Sequence, residues 1–259
     1  MSTPDLGRVL ETVRRALAAA AEVSLRHFGR ELHLEIKPDL TPVTIADKES
    51  ERAIASIIRE SFPDDDLLTE ESGASGHGAD SRWIVDPLDG TRGFVRGGGF
   101  WGPLVALEHR GEVLAGGMAL PALEETYWAA RGMGCFLNGE RMRVSDVQAW
   151  DEATLSLGEL RALLASPHGA AIAELIRLAA SARCYGDLAG CAMLLTGRAD
   201  AWVEAGVKVW DLAPLQVLVE EAGGAFTDFE GRRTIEAGRS VATNGRLQGR
   251  VLAALTPSA

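Results

Sequence analysis

One short segment constrains this chain more than any other: an apolar run at 83–85 leads directly into two aspartates, Asp86 and Asp89. Pro87 biases Asp86 toward an extended backbone, so the pattern predicts a short strand that ends in a turn holding both carboxylates. Carboxylates this close repel each other unless a cation lies between them, and Mg²⁺ prefers such oxygen ligands. An ordinary strand-end turn explains the same residues equally well, because Asp-Pro and Asp-Gly are common turn dipeptides.

The two residues that follow Asp89 suit an anion. Gly90 permits a tight turn, and its backbone N–H and that of Thr91 would face an anion if a helix begins there. The segment therefore predicts a cation site with an anion site beside it.

Three further acidic positions each have a structural as well as a functional explanation. The residues from Thr44 to Asp47 fit a capping box at the start of a helix. Glu70, which is followed by a second glutamate, fits a solvated run of charge. Asp211 fits a helix N-cap. Taken singly, these residues do not distinguish a metal or catalytic site from local helix and loop chemistry.

Hydrophobic periodicity predicts the elements that surround these positions. The first predicted helix begins at an N-cap at Thr3, has its apolar stripe at 6–20 and stops at Gly29. The other predicted helices cover about 45–61, 171–180, 188–195 and 212–222. The predicted strands cover 32–36, 83–85, 104–107, 113–119, 126–130, 135–137, 142–144, 201–203 and 225–227. The polar, glycine-containing stretch 64–81 is predicted to be mostly loop. This order of elements predicts a layered α+β protein. Since no flexible linker is visible, we expect one domain over 1–259, with possible halves at about 1–150 and 151–259.

Composition excludes several classes of function. A formal net charge of −11 argues against non-specific nucleic-acid binding, which needs clustered Lys and Arg. No run of about 20 apolar residues predicts a membrane span. No basic segment followed by an apolar run begins the chain, so we expect a cytoplasmic protein. The cysteines at 135, 184 and 191 form no Cys-x-x-Cys pair and are expected to be free thiols that pack as small buried apolar residues.

Taken together, the acidic positions resemble a known family, the inositol monophosphatase superfamily of magnesium-dependent, lithium-sensitive phosphatases. The resemblance extends over nearly the whole chain. It rests on Pro42-Val43-Thr44-Ile45-Ala46-Asp47, Glu70-Glu71-Ser72, Trp83 to Thr91, and Trp210-Asp211-Leu212-Ala213. It implies a layered αβαβα sandwich of the sugar-phosphatase type and a homodimer.

The resemblance also implies a role for each acidic residue. Two or three Mg²⁺ ions are expected per active site, and a water molecule activated by metal attacks the phosphate directly. The implied metal ligands are Glu70, Asp86, the backbone carbonyl of Leu88, Asp89 and Asp211. The implied catalytic residues are Asp47, Thr91 and Glu70, and the backbone N–H groups of Gly90 and Thr91 are expected to hold phosphate oxygens.

Other features resemble the histidinol-phosphate phosphatase branch and predict a small phosphorylated metabolite as substrate. Asp187 is an expected substrate-binding residue, because a carboxylate suits the ammonium or imidazole of histidinol phosphate. Glu204 is another; it matches the position where inositol phosphatases bind a substrate hydroxyl, and other branches of the family also have a glutamate there. An inositol-phosphate or broad sugar-phosphate phosphatase is the alternative, and a non-catalytic metal-binding regulator is a more distant one. Arg92 and the proline at 214, expected in the first turn of its helix, depart from the family pattern.

Overall fold

The computed structural model describes residues 3–38 and 41–256. Within these ranges the helices are α1 (Leu6–His27), α2 (Ile45–Ser61), α3 (Thr91–Val95), α4 (Leu160–Ala165), α5 (Gly169–Leu178), α6 (Asp187–Leu195), α7 (Val209–Glu221) and α8 (Gln248–Leu255). The strands are β1 (Glu35–Ile36), β2 (Pro42–Val43), β3 (Asp66–Thr69), β4 (Gly73–Ser75), β5 (Ser81–Asp89), β6 (Gly102–His109), β7 (Glu112–Leu120), β8 (Glu125–Ala130), β9 (Gly134–Leu137), β10 (Glu140–Met142), β11 (Thr154–Leu157), β12 (Ser181–Cys184), β13 (Ala201–Ala205), β14 (Ala225–Thr227) and β15 (Arg239–Thr243).

The first two helices follow from sequence periodicity. Helix α2 begins and ends where its pattern predicts, and α1 differs only at its start. The N-cap of α1 is Asp5, whose carboxylate accepts from the N–H of Gly7 at 2.9 Å. The prediction of Thr3 as N-cap was therefore wrong, because Asp is a better N-cap than Thr and Asp5 lies two residues closer to the apolar stripe.

Eight strands form the larger sheet, in the order β10-β9-β8-β7-β6-β5-β3-β4. The strands predicted at 104–107 and 113–119 pair as β6 and β7. The strand predicted at 135–137 pairs as β9 with β10, which lies at 140–142 rather than at the predicted 142–144. The loop predicted for 64–81 contains two strands, and β3 runs parallel to β5. That prediction was wrong because pairing with β5, rather than any local pattern, makes these residues extended. The strand predicted at 32–36 shrinks to the two exposed residues of β1.

The smaller sheet has five strands, in the order β12-β11-β13-β15-β14. Strands β11, β12 and β13 are mutually parallel, so their carboxyl ends lie at one edge. Only β13 and β14 of this sheet were predicted.

Helices and sheets alternate in five layers, which confirms the α+β sandwich. Trp83 and Val105 belong to the core between α1–α2 and the larger sheet. Ile84 and Trp202 belong to the core in which α6 and α7 separate the two sheets. Leu155 belongs to the core between the smaller sheet and α4, α5 and α8. Because β5 is covered on both faces, its apolar run is continuous rather than alternating.

Helix α7 departs from its predicted start. It begins at Val209, so Asp211 is its third residue rather than its N-cap. Pro214 is the sixth residue and lies beyond the first turn, where its missing N–H leaves out the hydrogen bond to the carbonyl of Trp210. The expectation of a first-turn proline was therefore wrong.

Two further features concern the cysteines and the apolar character of the helices. Among the described residues the three cysteines form no disulfide bond, but Cys184 is exposed, so the expectation that all three are buried was wrong for this one. Among the described helices, none combines the length and the apolar character that crossing a membrane requires.

Candidate metal centre and active site

Strand β5 carries both aspartates of the 83–91 segment into the site. The prediction of a turn was wrong here, because β5 continues through Asp86 to Asp89 and pairs with β6. The pairing register shifts between these two residues. An irregularity of this kind re-aims side chains at the end of a strand, and here it turns both carboxylates to one side.

Gly90 ends the strand in a conformation that favours glycine, with φ 78°. A side chain there would also collide with the neighbouring strand, since a Cβ would lie 2.6 Å from the carbonyl oxygen of Phe100. Helix α3 begins at the next residue, Thr91, as the anion-site interpretation required. Phosphate binding by these N–H groups stays a prediction.

Carboxylate oxygens of Asp86, Asp89 and Asp211 lie within 4.8 Å of one another. Burial, the neighbouring charges of Glu70 and the other two aspartates, and a hydrogen bond with Asp211 raise the pKa of Asp86 well above its usual value. A divalent cation would remove this repulsion, and three clustered carboxylates are ligands that hard cations prefer. The residues therefore fit a metal ion.

Glu70 reaches the same site from the end of β3. Its backbone N–H donates to the carbonyl of Val85 at 3.1 Å, which places it beside the strand that carries Asp86. Its carboxylate accepts from Lys37 Nζ at 2.7 Å, and Lys37 also donates to Glu71 at 3.0 Å. Burial raises the pKa of Glu71 to about 7, with Glu70 adding to the effect and Lys37 opposing it.

The contacts of Asp47 fit both the structural and the functional interpretation that the sequence left open. Its Oδ2 accepts from the N–H of Thr44 at 2.8 Å and from the Thr44 hydroxyl at 2.6 Å, which makes the predicted capping box of α2. Its Oδ1 accepts from the hydroxyl of Thr91 at 3.0 Å. That hydroxyl also lies 3.1 Å from the carbonyl oxygen of Leu88. Burial of Asp47 raises its pKa, although these hydrogen bonds oppose the rise.

Asp211 is held at the start of α7 in a similar way. Its Oδ2 accepts from the backbone N–H of Lys208, the N-cap residue, at 2.6 Å. Like Asp47, Asp211 is therefore the third residue of its helix, and its side chain bends back to the N-cap. Two helix N-termini thus each present an aspartate to the site, Asp47 from α2 and Asp211 from α7. Both positions favour a carboxylate, because the positive end of the helix dipole stabilises it.

The opposite wall comes from the carboxyl edge of the smaller sheet. Glu204 is only 1% exposed, and its Oε1 accepts from the N–H groups of Glu159 at 2.7 Å and Ala205 at 2.9 Å. Gly158 makes room for it, since a Cβ there would lie 1.4 Å from Glu204 Oε2.

Helix α6 connects this wall to the three clustered aspartates. The N–H of Leu188 donates to Asp89 Oδ2 at 2.9 Å. Asp187 is the first residue of α6, but its side chain lies outside what the structure describes, so its predicted substrate contact stays a prediction.

A cavity of about 260 Å³ joins the two walls. Eight predicted site residues line it, namely Glu70, Asp86, Leu88, Asp89, Gly90, Thr91, Glu204 and Asp211. Asp47 lies beneath Thr91, fully buried. Sequence reasoning gave no site role to Arg92, Glu159 and Lys208, which also line the cavity, or to Lys37, which binds Glu70. The rule that ligands bind at the carboxyl ends of parallel strands would have indicated Glu159, had β11 been recognised.

Comparison with known proteins gives a consistent result along the whole chain. Residues 5–258 match the model of the Inositol monophosphatase family. A histidinol-phosphatase of Chlorobaculum parvum is 38% identical over 97% of this chain and 96% of its own length. A histidinol-phosphatase of Mycobacterium tuberculosis is 37% identical over 98% and 99%. Among solved structures, an IMPase of Thermotoga maritima superposes with a TM-score of 0.83 and is 31% identical, with 96% of each chain covered.

Proposed function

Since the chain belongs to the inositol monophosphatase family and is a phosphatase, we propose that it is a Mg²⁺-dependent histidinol-phosphatase. Water attacks the phosphorus of L-histidinol phosphate, the bond from phosphorus to the alcohol oxygen breaks, and the products are inorganic phosphate and the free alcohol. The observation that supports this most is the cavity, in which a cluster of three aspartates lies beside a hydroxyl–carboxylate pair.

The chain's own residues account for the proton transfer in this proposal. The Thr91 hydroxyl donates to Asp47, so its lone pairs are available to accept a hydrogen bond from the attacking water. As the O–P bond forms, the water proton passes to Thr91 while the Thr91 proton passes to Asp47. Burial raises the pKa of Asp47, which favours its acceptance of a proton.

Glu70, Asp86, the carbonyl of Leu88, Asp89 and Asp211 are the residues we propose to hold two or three Mg²⁺ ions. When bound, such ions neutralise charge on the phosphate and acidify water. The N–H groups of Gly90 and Thr91 would bind phosphate oxygens as donors that need not reorient during the reaction. Excess chelator should abolish turnover, calcium should compete with magnesium, and lithium should inhibit.

The proposed substrate rests on the relatives named histidinol-phosphatase and on Glu204. A buried carboxylate fixed by backbone amides suits a cationic group at the far end of the substrate, because charge-assisted hydrogen bonds are stronger than neutral ones. Asp187 is proposed to contribute a second carboxylate from the start of α6.

An inositol phosphate is the second candidate substrate, because the hydroxyl groups of a neutral polyol also donate to a carboxylate. The test measures kcat/KM at fixed Mg²⁺ for histidinol phosphate, inositol 1-phosphate and an aryl phosphate. We expect histidinol phosphate to be preferred over inositol 1-phosphate by about tenfold to a hundredfold. Asp187→Ala should lower that preference. A wild-type preference for inositol 1-phosphate would overturn the proposed substrate and leave the phosphatase in place.

We further propose that the chain is one folding unit that forms a homodimer in the cytoplasm. Packing of α6 and α7 against both sheets supports a single unit, because neither half could unfold without exposing the core that they share. Coincident chemical unfolding transitions from probes in the two sheets are expected, and sedimentation should give twice the mass of the chain. Fractionation of the source cells would test the location.

A further inference from the structure

The far end of the cavity carries more negative charge than the metal-binding residues account for. Among the described residues, six carboxylates line the cavity, together with the basic side chains of Arg92 and Lys208. The carboxylates are Glu70, Asp86, Asp89, Asp211, Glu159 and Glu204. The first four form the wall assigned to metal ions. Two glutamates are left at the wall where the non-phosphate part of a substrate would lie.

Glu204 is held by contacts within the protein. It is 1% exposed, and one of its oxygens accepts from two backbone N–H groups. The other oxygen lies so close to Gly158 that no methyl group would fit between them. These contacts fix the position of its carboxylate in this structure.

Glu159 differs from Glu204 in its exposure, and its two backbone N–H donors are divided between its two oxygens. Its side chain is exposed and caps the short helix α4, where Oε2 accepts from the N–H of Ala162 at 2.7 Å. Its Oε1 accepts from the backbone N–H of Arg161 at 3.3 Å, which is a long and weak hydrogen bond. A carboxylate oxygen accepts more than one hydrogen bond, so Oε1 can bind a donor from the cavity while Oε2 keeps the cap.

The two glutamates are also joined by a hydrogen bond. The backbone N–H of Glu159 donates to Glu204 Oε1 at 2.7 Å, which fixes where the Glu159 side chain starts. An exposed carboxylate thus stands beside a buried one, at the carboxyl end of β11.

We propose that Glu159 is a specificity-determining residue that accepts a hydrogen bond from a cationic nitrogen of the substrate. The inference deepens the proposed function, since it rests on a substrate that carries phosphate at one end and a cation at the other. The substrate class is a phosphate monoester of an amino alcohol. Glu204 supplies fixed negative charge, and Glu159 adapts to the position of the cation.

The experiment compares two matched esters, O-phosphoethanolamine and 2-hydroxyethyl phosphate, which differ in an ammonium and a hydroxyl group. The measured quantity is the ratio of their kcat/KM values at fixed Mg²⁺. Glu159→Gln removes the charge, and Glu159→Ser removes it while keeping an N-cap side chain. Glu174→Gln is the control, because Glu174 is an exposed glutamate paired with Arg177 on α5.

We expect both Glu159 variants to lower the ratio of ammonium ester to hydroxyl ester by about three- to tenfold, and the control to leave it unchanged. The difference should shrink in high salt, because an exposed charge pair is screened. An unchanged ratio in both variants, with both folded by circular dichroism, would overturn the inference.

The outcome separates this inference from the proposed function. If wild-type enzyme prefers inositol 1-phosphate but the Glu159 variants still lower the ammonium preference, the inference stands and the proposed substrate fails. If wild type prefers histidinol phosphate and the variants keep the wild-type ratio, the substrate stands and Glu159 is only a helix cap.

Discussion

The edges of the two sheets meet across one cavity, and the buried carboxylates at these edges have opposite electrostatic surroundings. Asp86, at the end of β5, is surrounded by other carboxylates, so its environment is unfavourable until a cation is added. Glu204, at the end of β13, receives two backbone N–H groups on one oxygen. We therefore propose that the larger sheet provides a site that a metal ion completes, whereas the smaller sheet provides a carboxylate that neutral backbone donors already support.

Under the proposed function, the first edge carries the reaction and the second the choice of substrate. Changes at the first edge should act on every substrate alike, and changes at the second should act on some substrates more than others. The following substitutions test that division, in order of decreasing effect.

Asp86→Asn should have the largest effect. Metal ions contribute several kcal/mol to transition-state stabilisation, so we expect kcat/KM to fall about a thousandfold or more on every substrate tested. Because the substitution removes one of three mutually repelling carboxylates, the metal-free variant should melt at a higher temperature than metal-free wild type. Calorimetry with and without Mg²⁺ checks this. Full wild-type turnover in excess chelator would contradict the metal assignment.

Thr91→Ala and Asp47→Asn should each lower kcat by about a hundredfold or more, with little change in KM. The double variant should be little worse than either single one, because both residues act on the same water. Stability should separate them. Asp47→Asn disturbs the capping box of α2 and should cost about 1 kcal/mol, whereas Thr91 makes no hydrogen bond within that box. Additive losses in kcat would mean that Asp47 serves only the helix.

Gly158→Ala tests how closely Glu204 is packed at the edge of the smaller sheet. The added methyl group would lie on Glu204 Oε2, so we expect the free energy of unfolding to fall by about 1–3 kcal/mol. Gly249→Ala is the control, since no atom lies within 4 Å of a Cβ there. Chemical denaturation measures both. Equal stability of the two variants would show that Glu204 is free to move aside.

Glu204→Gln should have the smallest effect and the most selective one. The amide oxygen can accept both backbone N–H groups, so the fold should be unchanged while the charge is lost. We expect the preference for histidinol phosphate over inositol 1-phosphate to fall about tenfold, or about 1.4 kcal/mol. The ratio of the two kcat/KM values is the measurement. A uniform loss on both substrates would place Glu204 with the reaction and would remove the division between the edges.

How far the sequence predicts this site depends on how local each part is. Asp47 and its capping box, the strand that carries Asp86, and helix α2 were all predicted, because their signals lie within a few neighbouring residues. The start of α7 and the strands β3 and β4 were missed, because pairing and packing with distant segments decide them. Glu159 was missed for the same reason, since β11 becomes recognisable only beside β12 and β13.

By itself, the sequence indicated which residues can do chemistry here: closely spaced aspartates, a helix-capping carboxylate and a glycine that permits a sharp change of direction. Only the tertiary structure decided what each carboxylate faces. Asp86 lies beside Asp211, which is 125 positions away, and Glu204 lies beside the N–H of Glu159, which is 45 positions away. The free energy of a buried charge depends on its spatial neighbours, and chain folding rather than sequence distance selects those neighbours.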